Sequence, residues 1–378
     1  MLQHSLLVGV APQITRRVGY NALVLSSVRL SASRSFSSCA RRYNHLNDRQ
    51  ATAAAVGPHK NDTSSPSLAV AATNHGGDVS HQNPAHHGDW VLFHPVYTPE
   101  ELKAVEVLHR EATCFSDKLA ANLVKISRWG YDLVSGYKHK VIPPGADMTL
   151  QQLRKEGYVL DEKQWLERIL FLESIAGVPG MVAATLRHLQ SLRLMRRDNG
   201  WIHTCLEEAE NERMHLMTFM TLRNPSIFFR AMILGAQGVF YNMFFLSYLI
   251  SPRACHRFVG YLEEEAVLTY TKCIKEVEAG RVPEWSDMPA PQIAIDYWRL
   301  EPNAKLLDVI YAVRSDETTH RFVNHSLANL DVKTDVNPFA LQEPDMHIKG
   351  KKIAFERPEA EQYFKETRHI LQKISAES

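Results

Sequence analysis

Two stretches decide the fold: EEAENERMHLMTFM at 207–220 and RSDETTHRFVNH at 314–325. Each carries a glutamate followed three residues later by a histidine, Glu212/His215 and Glu317/His320. On a helix, a step of three returns to the same face, so each pair offers a carboxylate and an imidazole side by side. One pair alone carries little weight, because Glu106/His109 and Glu366/His369 share the spacing. Two further stretches supply the context. In LFLESIAGVPGMVAATLRHL, 170–189, Glu173 stands in a run that is otherwise uncharged from Ile169 to Leu186. An unpaired ionised carboxylate there would cost several kcal/mol, so it needs a partner: a buried cation, a helix-end pairing with Arg168 or Arg187, or water. In GYLEEEAVLTYT, 260–271, the run Glu263-Glu264-Glu265 opens onto Ala266, Val267 and Leu268, so at least one of its carboxylates faces other helices.

Four helices then supply ligands in the order Glu, Glu-x-x-His, Glu, Glu-x-x-His, the arrangement of di-metal carboxylate bundles. The expected fold is all-α: a ferritin-like di-iron four-helix bundle with additional membrane-surface helices. Four carboxylates balance two divalent cations, so such a site can be neutral in a water-poor interior. Oxygen-rich ligation with two imidazoles suits iron or manganese better than structural zinc. Tyr270 follows Glu263 by seven residues, two helical turns, and so points along the same face toward the metals. A phenol in that position can give up an electron and a proton.

Working outward, one helix should include Gln164 to about Gln190, kinked by Pro179, which lacks a backbone donor. A second should run from about Gly200 to Leu222. Asn224-Pro225 predicts a helix reaching Ile250, with Asn as cap and Pro at the first helical position. Ser251-Pro252 repeats that signal and opens a helix that should stop near Gly280. Another follows Pro302 and reaches about Leu330.

Between Arg230 and Arg253 lie 22 uncharged residues, AMILGAQGVFYNMFFLSYLISP, long enough to cross a bilayer. Glu212 precedes this run and Glu263 follows it. A single crossing would part them by roughly 30 Å, whereas di-metal sites need spacings of about 4 Å. Both this run and 169–186 are therefore expected to lie on the membrane surface. Arg187, Arg193, Arg196, Arg197, Arg230, Arg253 and Arg257 flank them and could meet anionic headgroups.

Of the 378 residues, 45% are hydrophobic, enough for one large domain with appended segments. The formal net charge of +1 gives no polyelectrolyte character, which argues against nucleic acid as a partner. The first 47 residues hold no acid, while Arg16, Arg17, Arg29, Arg34, Arg41, Arg42 and eight serines give a mitochondrial presequence composition. The expected organisation is a transit peptide over 1–65, a flexible linker over 66–98, the helical domain over 99–335 and a polar, solvated C-terminal arm over 336–378. The linker histidines, His75, His81, His86, His87 and His94, lack carboxylate partners at ligand spacing. Cys39, Cys114, Cys205, Cys255 and Cys273 form no Cys-x-x-Cys pair and read as small buried apolar residues.

The four quoted stretches, in this order, resemble the signature segments of the mitochondrial alternative oxidases, a likeness that covers roughly residues 99–335. The resemblance implies a homodimeric, monotopic enzyme of the inner membrane, facing the matrix. It would oxidise ubiquinol with cyanide-resistant four-electron reduction of O2 to water, without proton pumping. It implies two iron ions held by Glu173, Glu212, His215, Glu263, Glu317 and His320, with Tyr270 catalytic. Asn211 and Asp316 would orient ligands, and Arg128, Asp132, Arg168, Leu172, Glu265, Ala266 and Thr269 would line the quinol pocket. The rival readings are a di-iron hydroxylase of ubiquinone biosynthesis and a non-catalytic iron-binding, membrane-associated protein.

Overall fold

Local side-chain chemistry opens several of the helices. Thr98 caps α1, Pro99–Lys103, by accepting the Glu101 amide at 3.3 Å, and Glu101 reaches back to the Thr98 amide at 2.9 Å. The same reciprocal box, Asp161 with Gln164, opens α4, Glu162–Ala176. Ser251 caps α8, Pro252–Glu278, with Pro252 in its first turn as expected. The cap of α7, Ile227–Ile250, is Ser226 rather than Asn224, because the Ser226 hydroxyl is the group that reaches the Phe229 amide, at 3.2 Å. A computed structural model describes residues 96–135, 140–143, 145 and 147–377. The expected transit peptide, the linker up to 95 and Cys39 lie outside the described residues.

The remaining helices are α2, Phe115–Ser135; α3, Leu150–Lys155; α5, Val178–Leu194; α6, Trp201–Met220; α9, Gln292–Trp298; α10, Leu306–Leu327; α11, Met346–Lys349; and α12, Arg357–Glu377. Among the described residues there is no strand, and a single isolated bridge joins Pro289 to Lys305. The helix expected over 164–190 runs over Glu162–Leu194, interrupted between α4 and α5 at one residue, Gly177, which keeps right-handed helical dihedrals two residues before Pro179. Pro179 falls in the first turn of α5, where its missing donor has no partner to lose. Gly180 lets α5 lie directly on α6: a Cβ there would sit 2.5 Å from the Cys205 carbonyl oxygen.

The bundle around α10 inverts the usual hydropathy order. Every residue from Ala312 to Leu327 is buried, including Arg314, Asp316, Glu317, His320, Arg321, Asn324 and His325. Hydroxyls on α10 bond back to carbonyls one turn earlier, Thr318 to Arg314 at 2.8 Å and Ser326 to Phe322 at 2.7 Å. Its buried guanidiniums donate to carbonyls of the segment before α2, Arg314 to Leu102 at 2.6 Å and Arg321 to Glu106 at 3.0 Å. α10 packs chiefly on α8, and α6 packs on α4 and α5. Apolar side chains including Trp165, Leu170, Ile310, Trp285 and Trp298 fill the largest core cluster. Each fully buried side chain the size of Leu170 contributes roughly 1.5–3 kcal/mol. By contrast α7, the most apolar helix, buries only Phe244 and Tyr248, and its ends, Ile227 and Ile250, are 87% and 85% exposed.

Several expectations are corrected. Tyr97 and Thr98 are not free linker, since Tyr97 packs against the core and Thr98 caps α1. Much of 336–378 is not a solvated arm. Asn337, Phe339, Met346, Lys349 and Phe355 are buried, and Phe339 and Phe355 pack on Phe322 of α10. Lys349, from the basic run, pairs with Glu343 at 2.9 Å. Glu106/His109 lies on no helix, whereas Glu366/His369 sits exposed on α12. Arg187 and Arg257 do not face headgroups: they are buried, paired with Asp198 at 2.8 Å and Asp117 at 3.0 Å. Cys205, Cys255 and Cys273 are buried free thiols, and Cys114 is half-buried.

Candidate metal centre

α4, α6, α8 and α10 each bring acid to one interior point. Glu173, Glu212, His215 and Glu317 place one donor atom each within 4.8 Å of one another. So do Glu212, Glu263, Glu317 and His320. Glu212 and Glu317 belong to both sets, while Glu173 with His215, and Glu263 with His320, belong to one each. All six side chains are buried. Two overlapping sets with two shared carboxylates are the donor pattern of a paired metal site.

The fit to cations rests on atoms left without ordinary partners. Nδ1 of His215 lies 3.4 Å from carboxylate oxygens of Glu173, Glu212 and Glu317 at once. Three acceptors around one ring nitrogen cannot all be satisfied by a single proton. That nitrogen, Oε2 of Glu212 and Oε2 of Glu173 have no well-formed hydrogen bond, and Nδ1 of His320 and Oε1 of Glu212 have only each other, at 2.7 Å. Buried polar atoms rarely go unpaired, so their convergence here points to a ligand between them.

Electrostatics agree. Burial drives Glu173 up to about 8 and Glu263 well above the usual carboxylate range, the neighbouring carboxylates adding to it. Burial would also raise Glu212, but the imidazoles of His320 and His215 hold it low. Burial would depress both histidines, yet the surrounding carboxylates raise them well above their ordinary value. The cluster therefore holds protons that divalent cations would displace.

One carboxylate orients the His215 ring from behind. Asp316 Oδ2 accepts from His215 Nε2 at 3.0 Å, Asn211 Nδ2 at 2.9 Å and Trp298 Nε1 at 2.9 Å. With Nε2 held there, Nδ1 is the ring nitrogen turned toward the cluster. Asn211 also donates to the Tyr297 hydroxyl, and the Trp298 indole stacks on His215 at 5.9 Å. The Tyr270 hydroxyl donates a short bond to Glu173, and its ring stacks on Phe219. Sequence reasoning did not find Tyr97, Tyr297, Trp298 or Glu208. Glu208, one turn before Glu212, is raised to about 7 by burial and accepts from Asn324 Nδ2 at 2.6 Å. Its place in EEAENE was the available signal; the two tyrosines and Trp298 carried none, since only tertiary packing brings them in.

The seven residues expected at the quinol pocket divide in two. Arg128 pairs with Glu265 and, at 3.4 Å, with Asp132, which also receives Arg168 at 3.1 Å. These four tie α2, α4 and α8 together. The Arg168 guanidinium lies over the Tyr131 ring at 4.8 Å. Thr269 donates to the Glu265 carbonyl at 2.7 Å, and Leu172 and Ala266 are half-buried on α4 and α8. A separate cleft lies between α4, α6 and the start of α7, lined by Leu170, Ser174, Leu216, Met220, Phe229 and Ile233 among others, and includes none of the seven.

Residues 97–329 match the family model for the alternative oxidases. Similar chains include a protein named mitochondrial alternative oxidase from Cryptococcus neoformans var. grubii, 57% identical over 295 residues, 77% of this chain and 74% of the relative. One of the same name from Emericella nidulans is 58% identical over 263 residues, 69% and 72% of the two chains. A third, from Yarrowia lipolytica, is 49% identical over 280 residues, 73% and 77%.

Proposed function

Because this chain belongs to the alternative oxidase family, we propose that it is a ubiquinol oxidase of the inner mitochondrial membrane, facing the matrix. Two ubiquinol molecules and one O2 become two ubiquinone and two H2O, so four electrons and four protons balance. The observation that carries this reading is the pair of ligand sets that share Glu212 and Glu317. Glu173 and His215 would hold one iron, Glu263 and His320 the other, and Glu212 and Glu317 both. Two bound irons would supply the electron storage and oxygen affinity that no side chain offers.

The protein's own groups do the rest. Asp316 and Asn211 hold the His215 ring with Nδ1 turned toward the cluster. The Tyr270 phenol keeps its proton at neutral pH, because burial and Glu173 raise it well above its ordinary value. It therefore presents a removable hydrogen beside a ligand, at Glu173. Arg128, Asp132, Arg168 and Glu265 offer paired charges that can exchange one another for the two hydroxyls of a quinol, with Leu172, Ala266 and Thr269 beside them.

The exposed apolar surface of α7 supports attachment to lipid, and Glu212 before it and Glu263 after it share one cluster. A helix of 24 residues is roughly 36 Å long, so α7 cannot carry the chain across a bilayer and leave those two acids together. The helix pair α4–α5 carries Glu173 into the same cluster, so a chain held on one leaflet would offer no pumping route and would release the oxidation energy as heat. The test is oxygen uptake by the purified chain in liposomes with ubiquinol and cyanide. Two quinols consumed per O2, with neither peroxide nor hydroxylated quinone formed, is the expected result. A hydroxylated quinone would transfer the protein to the biosynthetic hydroxylases, and iron binding without uptake would make it non-catalytic.

A further inference from the structure

The segment before α2 runs between the acidic neighbours of two candidate ligands. At its start the Tyr97 hydroxyl donates to Asp316 Oδ1 at 2.6 Å, and Asp316 precedes Glu317. At its end, Nδ1 of His109 and the Arg110 amide meet the two oxygens of Glu264, at 2.5 and 3.0 Å, and Glu264 follows Glu263. Between them, Leu102 and Glu106 supply the carbonyls that receive the buried guanidiniums of Arg314 and Arg321. The Glu106 amide in turn donates to Gly350 at 3.0 Å. Residues 97–110 thus strap α10 along its length.

We propose that Tyr97 is a positioning residue of the metal centre, acting through Asp316 on the orientation of the His215 ring. The inference rests on the reading of His215 as an iron ligand. The geometry is specific. Asp316 Oδ2 is committed to His215, Asn211 and Trp298, so rotation of the carboxylate is resisted from the other side by the bond that Tyr97 makes to Oδ1. Both oxygens are then fixed, and with them the plane in which His215 is held. Desolvation and the Asp316 charge raise the Tyr97 phenol well above its ordinary value, so it remains a donor across the physiological range. Loss of a group bonded directly to a ligand costs about 10- to 100-fold in metal affinity or activity, and Tyr97, one bond further out, acts at the low end of that range.

The experiment uses the full chain with Tyr97→Phe, which removes the hydroxyl and keeps the ring against the core. Thr98→Ala, which weakens the cap of α1 and leaves the hydroxyl, serves as the comparison. Three readouts separate positioning from folding: iron retained during a chelator challenge, the Mössbauer spectrum of the loaded protein, and the melting temperature of the iron-free protein. In Tyr97→Phe, retention should fall about 10-fold, one of the two iron signals should change, and the iron-free melting temperature should stay near wild type. Thr98→Ala should leave retention and spectrum alone. Wild-type retention and an unchanged spectrum in Tyr97→Phe overturn the proposal. So does equal iron loss in Thr98→Ala, which would assign the effect to strap docking in general. If wild type itself loads no iron, the reading of the centre fails first, and this inference with it.

Discussion

Three consecutive glutamates on α8 should respond to alanine in three different ways. Glu263 places its carboxylate in the metal cluster. Glu264, one residue on, accepts from His109, the Arg110 amide and His325 at 2.5, 3.0 and 2.8 Å, and His325 is fully buried. Glu265 is 38% exposed in its side chain and pairs with Arg128. Glu263→Ala should therefore abolish iron loading and oxidase activity while relieving a buried carboxylate of its desolvation. Glu264→Ala strands the buried, neutral imidazole N–H of His325, a loss on the order of 1–3 kcal/mol, or several °C in melting temperature at ~2–4 °C per kcal/mol. Its folded fraction should still take up iron. Glu265→Ala should cost at most about 1 kcal/mol, as half-exposed pairs do, and raise the KM for quinol. Thermal melts by circular dichroism, iron per chain and quinol kinetics on the three variants read all of this. If Glu264→Ala loses the iron and Glu263→Ala keeps it, the rotational register of α8, and with it the ligand set, is wrong.

Tyr270→Phe should keep both irons and lose nearly all turnover, because the hydroxyl and not the ring reaches Glu173; an active, iron-loaded variant would leave Tyr270 as core packing. Burial depresses His256 and His325 to about 4. The unfolded chain therefore takes up protons below about 6.5 that the folded one refuses, and stability contributed by each falls by up to about 3 kcal/mol as pH drops toward 4. Glu173 and Glu208, raised to about 8 and about 7, act in the opposite sense in iron-free protein. The histidine effect is thus read as the difference in urea stability between wild type and His256→Gln at pH 7 and 4.5, and an identical pH slope in both would refute it. Gly180→Ala should destabilise by about 1–3 kcal/mol, since its Cβ meets a backbone carbonyl and overpacking is not relieved by a rotamer change; an unchanged denaturation midpoint would mean α5 can lift from α6 freely.

The parts of this fold legible in the sequence are those set by local spacing. Glu212/His215 and Glu317/His320 are on helices, and Ser251-Pro252 starts α8 where a cap followed by proline should. The same rule found Glu106/His109, where no helix forms, because spacing has meaning only once the backbone is helical. Hydropathy misled in proportion to how much the site dominates. The sequence RSDETTHRFVNH has the polarity of a solvent-facing helix and is wholly buried, its charges answered by carbonyls, carboxylates and carboxamides from elsewhere in the chain. Tyr97 and the neighbours Tyr297 and Trp298 converge on Asp316 or its partner Asn211 from two separate places, and no periodicity links those places. The C-terminal residues looked polar on average because a few aromatics, Phe339 and Phe355, do the packing for the whole segment.

That polar, central α10 is also the last of the four ligand helices along the chain. A polypeptide emerging amino end first must hold Glu173, Glu212 and Glu263 in readiness with nothing to enclose them, while α7 already displays its apolar surface. Until α10 arrives, the inner faces of α4, α6 and α8 and the acids on them lie open to water. Completion of the metal cluster therefore waits on residues 306–327, so the charged helix made last becomes the axis that the earlier helices surround.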